Sequence, residues 1–203
     1  MTTVVKDGKP TSPSGYKVAP QSYKSLEGIA RSLLGHLPLE HGELYRLDCK
    51  ELLEGTLLEA GYRFRCLEVH ALEDCAAFTV PAQSLIVMRE DIYDHLCADQ
   101  VYGRSTVVHE TSHLVLRHDV TLHRGAALRQ HRFCEDSEWQ AKALTAAIMM
   151  PLEACQRASG PLELSQMCGT SVEAATYRLH NVEKHGLLSP NRRPGAQRYH
   201  AVA

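Results

Sequence analysis

The sequence predicts an α+β protein in which helices surround one small sheet. Apolar residues recur at helical spacing in several stretches, and three short runs between positions 62 and 88 have the alternating or apolar character of β-strands. Hydrophobic residues make up 44% of the 203 residues, which is ample for a buried core in about one domain. The chain is therefore expected to fold rather than to remain disordered.

The elements are expected in a definite order along the chain. Helical spacing predicts helices at 25–37, 52–58, 101–118 and 135–150, and two more between 161 and 188 that flank Gly169. Strands are expected at 62–66, 76–80 and 84–88. Gly61 is expected to end the second helix. Pro151 is expected to end the helix over 135–150, because proline lacks the backbone N–H that a helix needs.

Composition divides the chain into four segments. Residues 1–20 mix Pro, Gly, Ser, Thr and Lys without periodicity and are expected to form a flexible N-terminal arm. The core is expected over 21–160, followed by a helical C-terminal segment over 161–188. Residues 189–203 are polar again and contain Pro and Gly, so they are expected to form a flexible tail.

Charge, hydropathy and cysteine content restrict the class of protein. Lys and Arg number 22 against 24 Asp and Glu, so the net charge of −2 offers no chain-wide basic surface for nucleic acid. No apolar run has the length of a signal peptide or of a membrane-spanning helix. The seven cysteines are odd in number and include no CxxC pair, which favours a reducing compartment. We therefore expect a cytoplasmic protein that does not associate with membranes.

The segment His109-Glu110-Thr111-Ser112-His113 carries the clearest chemical pattern. Two histidines at i and i+4 lie on one helix face with β-carbons about 5–6 Å apart, so both imidazoles can bind one metal ion. Glu110 lies beside the open coordination position, where a carboxylate can deprotonate bound water. Apolar residues flank the motif and predict a buried helix, in which His and Glu side chains need partners of this kind. The motif therefore predicts a catalytic metal centre.

A catalytic zinc site needs a third protein ligand, and three residues are candidates. Asp119 is expected to point away, because Leu116 stands where a glycine would end the helix and the helix is expected to continue. His118 lies five positions after His113 and off the face of the pair, so it is interpreted as a surface group or as a partner of a ligand. Glu138 is favoured, because small residues on its helix face allow close packing on the motif helix. The alternative role of Glu138 is a first-turn carboxylate stabilised by the helix dipole.

The motif belongs to a longer pattern made of two segments. Residues 104–113 have the sequence RSTVVHETSH, and residues 138–151 have the sequence EWQAKALTAAIMMP. Together they resemble the ImmA/IrrE family of metallopeptidases, whose pattern is Arg-Phe-Thr-x-Ala-His-Glu-x-Gly-His followed by Glu-x-x-Ala-x-x-Phe-Ala-x-x-Leu-Leu-Met-Pro. The matching residues are Arg104, Thr106, His109, Glu110, His113, Glu138, Ala141, Met150 and Pro151. The chain departs from the pattern at several packing positions, among them Ser105, Ser112 and Leu144, and weaker similarity extends over about 22–188.

This resemblance implies a zincin-like core and a divalent ion held by His109, His113 and Glu138, with Glu110 as the general base. Zn²⁺ is the expected cofactor, because two nitrogen ligands and one oxygen ligand suit it, and Mn²⁺ also occurs in the family. The implied substrate is a helix-turn-helix repressor, which is cleaved to derepress phage, mobile-element or stress genes. We therefore expect a zinc-dependent endopeptidase.

The alternative is a non-catalytic regulator that keeps the zincin fold and acts by binding a repressor or DNA. Glu110 favours the enzyme, because a binding protein needs no general base. Residues 161–188 resemble a helix-turn-helix, but five Lys and Arg against three Glu over 160–200 are few for phosphate contacts. Docking of a protein substrate on this segment is therefore favoured over direct DNA binding.

The substrate is expected to pair with the sheet. The strand over 84–88 is expected to form the sheet edge that lines the cleft, where an extended substrate segment adds a strand. Tyr93, Tyr102, His123 and His131 are candidates for lining the cleft and stabilising the oxyanion, and the sequence does not choose among them.

Overall fold

The computed structural model describes residues 5–6, 9–10, 15–73, 75–118 and 131–188. Within these ranges the chain has the predicted α+β fold, with a small three-stranded mixed sheet among helices. The strands and α-helices are, in chain order, β1 (Val5–Lys6), β2 (Lys9–Pro10), α1 (Tyr23–Leu34), α2 (Cys49–Glu51), α3 (Leu57–Glu59), β3 (Arg63–Leu67), β4 (Ala77–Val80), β5 (Leu85–Arg89), α4 (Glu90–Cys97), α5 (Val101–Val115), α6 (Ser137–Met149), α7 (Leu152–Arg157), α8 (Pro161–Cys168) and α9 (Val172–Lys184). No helix in the described part of the chain is long and apolar enough to cross a membrane.

Most of the predicted helices are present, although their ends differ by a few residues. α1 begins early because the Ser22 hydroxyl caps it, accepting a hydrogen bond of 3.1 Å from the backbone N–H of Ser25. A π-helical turn, Leu52–Thr56, joins α2 to α3 within the predicted second helix. α4 and α7 have no counterpart in the prediction. α4 buries only Ile92 and Leu96, and two apolar positions are too few to reveal helical spacing.

The order of the strands corrects one prediction. β5 lies at the centre of the sheet, parallel to β3 and antiparallel to β4, so the expectation that 84–88 forms the edge strand is wrong. The reason lies in the strand itself. Ile86, Val87 and Met88 are consecutive and all buried, which requires cover on both faces of the strand. Of the two edge strands, β4 is the one that contacts α5.

The C-terminal segment has its own small core and is attached to the rest of the fold. One cluster of buried side chains joins α1, the sheet, α5 and α6, and a second joins α7, α8 and α9. The turn between α8 and α9 is made at Gly169, where φ is 63°. A β-carbon at Gly169 would lie 2.9 Å from Nη2 of Arg104 on α5, so glycine serves both the turn and this close contact.

A buried ion pair makes a second attachment between α9 and α1. Nη2 of Arg178 lies 3.0 Å from Oε2 of Glu27, and both side chains are almost fully buried. Nε of Arg178 also donates a hydrogen bond of 3.0 Å to the carbonyl of Met150 at the end of α6. The guanidinium therefore connects three helices at one point.

The last part of the predicted N-terminal arm is paired with the core. The backbone N–H of Val18 donates to the carbonyl of Glu135 at 2.8 Å, and the N–H of Ser137 donates to the carbonyl of Tyr16 at 3.0 Å. The N–H of Gly15 donates to Asp136 at 2.8 Å. Residues 15–20 therefore lie against the start of α6. Most of the remaining arm and the predicted tail over 189–203 fall outside the described residues.

We expect Arg178→Leu to lower the free energy of unfolding by about 3–5 kcal/mol, because it leaves the Glu27 carboxylate buried without its partner. The double variant Glu27→Leu/Arg178→Leu should regain part of this loss, since no unpaired charge remains. Urea unfolding measures both changes. The control is Arg31→Leu on the exposed side of α1, which should change stability by no more than about 0.5 kcal/mol. Equal stability of Arg178→Leu and Arg31→Leu would contradict this account.

Candidate metal centre

His109 and His113 lie one turn apart on α5, a helix that is buried over most of its surface. Val107, Val108 and Ser112 have no exposed surface, so packing fixes the helix on several sides. The two imidazole rings are 4.8 Å apart and nearly perpendicular, and their Nε2 atoms are separated by 3.2 Å. The i, i+4 spacing therefore brings two nitrogen donors to one point.

Glu138 reaches the same point from the first turn of α6. The Asp136 carboxylate begins this helix by accepting a hydrogen bond of 2.8 Å from the backbone N–H of Trp139. Oε2 of Glu138 lies 3.3 Å from Nε2 of His109, and Oε1 lies 3.2 Å from Nε2 of His113. Burial opposes ionisation of this carboxyl, but the hydrogen bonds and charges of the two histidines outweigh it and hold the pKa of Glu138 well below its usual range.

α6 can approach α5 closely because the facing side chains are small. Ala141 is fully buried, and the hydroxyl oxygens of Ser112 and Thr145 are 3.1 Å apart across the two helices. Each hydroxyl also lies 2.8 Å from a carbonyl one turn earlier in its own helix, that of Val108 for Ser112 and that of Ala141 for Thr145. Serine at 112, where the family pattern has glycine, is thus accommodated by hydrogen bonding.

The three side chains have the chemistry and the spacing of a divalent-metal site. Their ligand atoms form a group that could hold one ion, and the donor set is two imidazole nitrogens and a carboxylate. Around a tetrahedral ion with ligands at about 2.0 Å, neighbouring donor atoms are about 3.3 Å apart. The two Nε2 atoms are 3.2 Å apart, and they lie 3.3 and 3.2 Å from the two different carboxylate oxygens of Glu138. One ligand atom from each of the three residues lies within 4.8 Å of the others, so the residues present fit one divalent ion.

Glu110 lies next to this cluster and is held by the sheet. Its side chain is almost fully buried. The hydroxyl of Thr79 on β4 donates a hydrogen bond of 2.6 Å to Oε2 of Glu110. This contact fixes one carboxylate oxygen, and Oε1 makes no hydrogen bond to any residue in the described ranges. The edge strand therefore orients the carboxylate that the motif assigns as a base.

A cleft of about 770 Å³ opens on the metal cluster and extends to the C-terminal segment. His109, Glu110 and Glu138 line it on one side, and Ala174 and Tyr177 of α9 line it on the other. The remaining lining is largely apolar and is contributed mainly by α5 and α6, including Val101, Tyr102, Ala143, Ala146, Met149 and Met150. The cleft thus has the apolar walls and the few convergent polar groups of a ligand site.

The structure separates the four candidates for oxyanion stabilisation. Tyr102 lines the cleft. Tyr93 does not, because its hydroxyl donates to Glu54 and its ring stacks on Phe64 at the far side of α4. His131 does not line it either, and its Nε2 lies 3.0 Å from a carboxylate oxygen of Asp136. His123 lies outside the described residues.

The end of α5 differs from the prediction. The helix ends at Val115 rather than at 118, because Arg117 adopts a left-handed conformation with φ 51°. The chain then turns back, and His118 becomes buried with its Nδ1 2.9 Å from Nδ1 of His113. Arginine in this conformation is uncommon, so no sequence signal marks the turn. Asp119 lies outside the described residues.

His118 is therefore a partner of a ligand rather than a surface group, which decides between the two interpretations that the sequence allowed. Burial lowers the pKa of His118, although its hydrogen bond to Gln140 acts in the opposite direction. Gln140, which contacts the far side of His118, was not among the candidate residues. The only signal that could have suggested it is its position on α6, between Glu138 and Ala141.

The chain was compared with protein-family models and with curated protein sequences, and neither comparison finds a match. A functional assignment therefore depends on the arrangement of the site and on the motifs within the sequence. Both point to His109, His113 and Glu138, and the sequence motif adds Glu110.

We expect the purified protein to bind one equivalent of Zn²⁺, and we expect His113→Ala and Glu138→Ala to lose most of this binding because each removes one of three ligands. Metal analysis together with chelator competition measures the stoichiometry and the affinity. Glu153→Ala is a matched control, since Glu153 is an exposed carboxylate in the first turn of α7. Full stoichiometry in Glu138→Ala would contradict the assignment of Glu138 as the third ligand.

Proposed function

We propose that the protein is a zinc-dependent endopeptidase with a zincin-like core, similar to the ImmA/IrrE family. The observation that carries the proposal is the convergence of His109, His113 and Glu138 with metal-ligand spacing, beside Glu110 and inside a large cleft. The residue types, their order in the sequence and their separations all agree with hydrolysis of a peptide bond by activated water. Mn²⁺ is the alternative ion.

The chemistry divides between the ion and the side chains of the chain. A bound divalent ion supplies a Lewis acid that polarises the peptide carbonyl and acidifies water. Glu110 takes a proton from the attacking water at its carboxylate and delivers it to the leaving nitrogen. Thr79 donates to Oε2 of Glu110, so we assign this proton to Oε1, which accepts no hydrogen bond from the described residues. Of the oxyanion candidates that lie in the described ranges, Tyr102 is the one that lines the cleft.

The expected substrate is a helix-turn-helix repressor. An extended segment of it would add to β4, which is an edge strand among the described residues and replaces the strand over 84–88 in this role, and would continue through the cleft toward α9. The surface of the C-terminal segment supports protein docking rather than DNA binding. Lys184 is its one exposed Lys or Arg within 161–188, against three exposed glutamates, and Arg178 is buried.

We expect Glu110→Gln to keep the fold and the bound metal but to reduce cleavage by at least about 100-fold, because the amide cannot accept the proton. The measurement mixes the protein with helix-turn-helix repressors encoded in the same genome and follows their cleavage by gel electrophoresis. Glu153→Gln, at an exposed glutamate away from the cleft, is the control and should cleave at the wild-type rate. If Glu110→Gln cleaved the repressor as fast as the wild type, the assignment of the base would be wrong. If the wild type and Glu110→Gln both bound the repressor and neither cleaved it, the protein would be a non-catalytic regulator.

We expect Ala174→Glu to reduce repressor cleavage by about tenfold or more, because it places a charge and added bulk on the wall of the cleft. Thr176→Glu is the matched control, since Thr176 is also exposed on α9 but does not line the cleft. Zn²⁺ binding should be unchanged in both variants. Equal cleavage by the two variants would mean that the substrate does not reach α9, and docking would then lie in the core.

A further inference from the structure

A chain of buried polar side chains lies behind His113, on the side away from the cleft. Nδ1 of His113 lies 2.9 Å from Nδ1 of His118, and Nε2 of His118 lies 3.1 Å from Oε1 of Gln140. Nε2 of Gln140 in turn donates hydrogen bonds of 2.8 Å to the carbonyls of Ala19 and Cys134. His118 and Gln140 are 8% and 2% exposed, so water has little access to replace these contacts.

The orientation of this chain is fixed from its Gln140 end. The amide nitrogen of Gln140 is the only one of its two polar atoms that can donate, and it faces two backbone carbonyls, which can only accept. Oε1 must therefore face His118 and accept a hydrogen bond from Nε2–H. In neutral His118 this leaves Nδ1 as an acceptor, so the contact to His113 requires that Nδ1 of His113 carries the proton.

The metal end requires the same orientation. A histidine that binds a metal through Nε2 must present a lone pair there, and its remaining proton must be on Nδ1. Nε2 of His113 is the atom that faces His109 and Glu138. Both ends thus lead independently to one arrangement in which every donor has an acceptor. The opposite arrangement would place an N–H of His113 where the ion binds.

We propose that His118 and Gln140 are positioning residues of the metal centre, which hold His113 in the Nδ1-protonated tautomer with its Nε2 lone pair directed at the ion. The proposal rests on the metal site of the proposed function, but it does not require peptidase activity. It also gives residues 15–20 a role, since the carbonyl of Ala19 accepts one of the two hydrogen bonds that orient Gln140. Nδ1 of His109 has no hydrogen-bond partner among the described residues, so His118 and Gln140 orient only one of the two histidines.

The first test is the tautomer of His118 in Zn²⁺-loaded protein. Protein labelled with ¹⁵N at histidine is studied by long-range ¹H–¹⁵N NMR, and His118→Asn assigns the signals of His118. We expect the Nε2–H form for His118, with its Nδ1 accepting the hydrogen bond from Nδ1–H of His113. An Nδ1–H form for His118 in the folded, Zn²⁺-loaded protein would overturn the proposal, whether or not the protein cleaves a substrate.

The second test is affinity for Zn²⁺ alone, measured by competition with a chelator. We expect His118→Leu and Gln140→Met to bind Zn²⁺ about 10- to 100-fold more weakly than the wild type. His118→Asn should recover most of the affinity, because its side-chain oxygen can accept the hydrogen bond from Nδ1–H of His113. His36→Leu, at an exposed histidine, is the control and should have no effect.

Wild-type affinity in a folded His118→Leu or Gln140→Met would overturn the proposal. If His118→Leu does not fold, the NMR measurement on the wild type and the Zn²⁺ affinity of Gln140→Met still test the proposal. These outcomes are distinct from failure of the proposed function, which would appear as normal tautomers and normal Zn²⁺ binding without cleavage of the repressor.

Discussion

The contact between α5 and α6 is the constraint on which the centre depends. α5 alone brings two imidazoles together, because residues four apart share a helix face. The third donor depends on how closely α6 approaches and on where it begins. Ala141 and the Ser112–Thr145 contact set the approach, and the Asp136 cap sets the first turn that carries Glu138. Protein interiors are close-packed, so added volume at 112 or 141 would push α6 away from α5. The Glu138 carboxylate would then move away from the histidines.

The parts of the site that were predictable from the sequence are those that depend on local periodicity. His109 and His113 follow from helical spacing, and Glu138 follows from the small residues on its own face of α6. The position of β5 was misjudged because a short apolar run does not show which strands flank it. The turn at Arg117 was missed for a different reason. It is made by a residue without local preference for that conformation, and the burial of His118 that accompanies it involves contacts distant in the sequence.

Both ends of the described chain contribute to the centre although neither supplies a ligand. Residues 15–20 lie against the start of α6, where their backbone satisfies polar groups that a helix start leaves open. The α8–α9 pair encloses the far side of the cleft and is anchored by Gly169 and by the Glu27–Arg178 ion pair. The helices that carry the candidate metal ligands are therefore supported from two directions, which limits the rearrangement open to the side chains at the site.

β4 has two connections to the site, since it is an edge strand among the described residues and its Thr79 hydroxyl holds the carboxylate of Glu110. A peptide that adds to this edge out of step, by even one residue, would present its side chains to the opposite face and strain the strand that it pairs with. Such strain would displace the Glu110 carboxylate, because the Thr79 hydroxyl of the same strand holds it. In a peptidase built this way, misaligned chains would be bound without being cut. Alignment of the backbone, rather than recognition of particular side chains, would then decide which bond is broken.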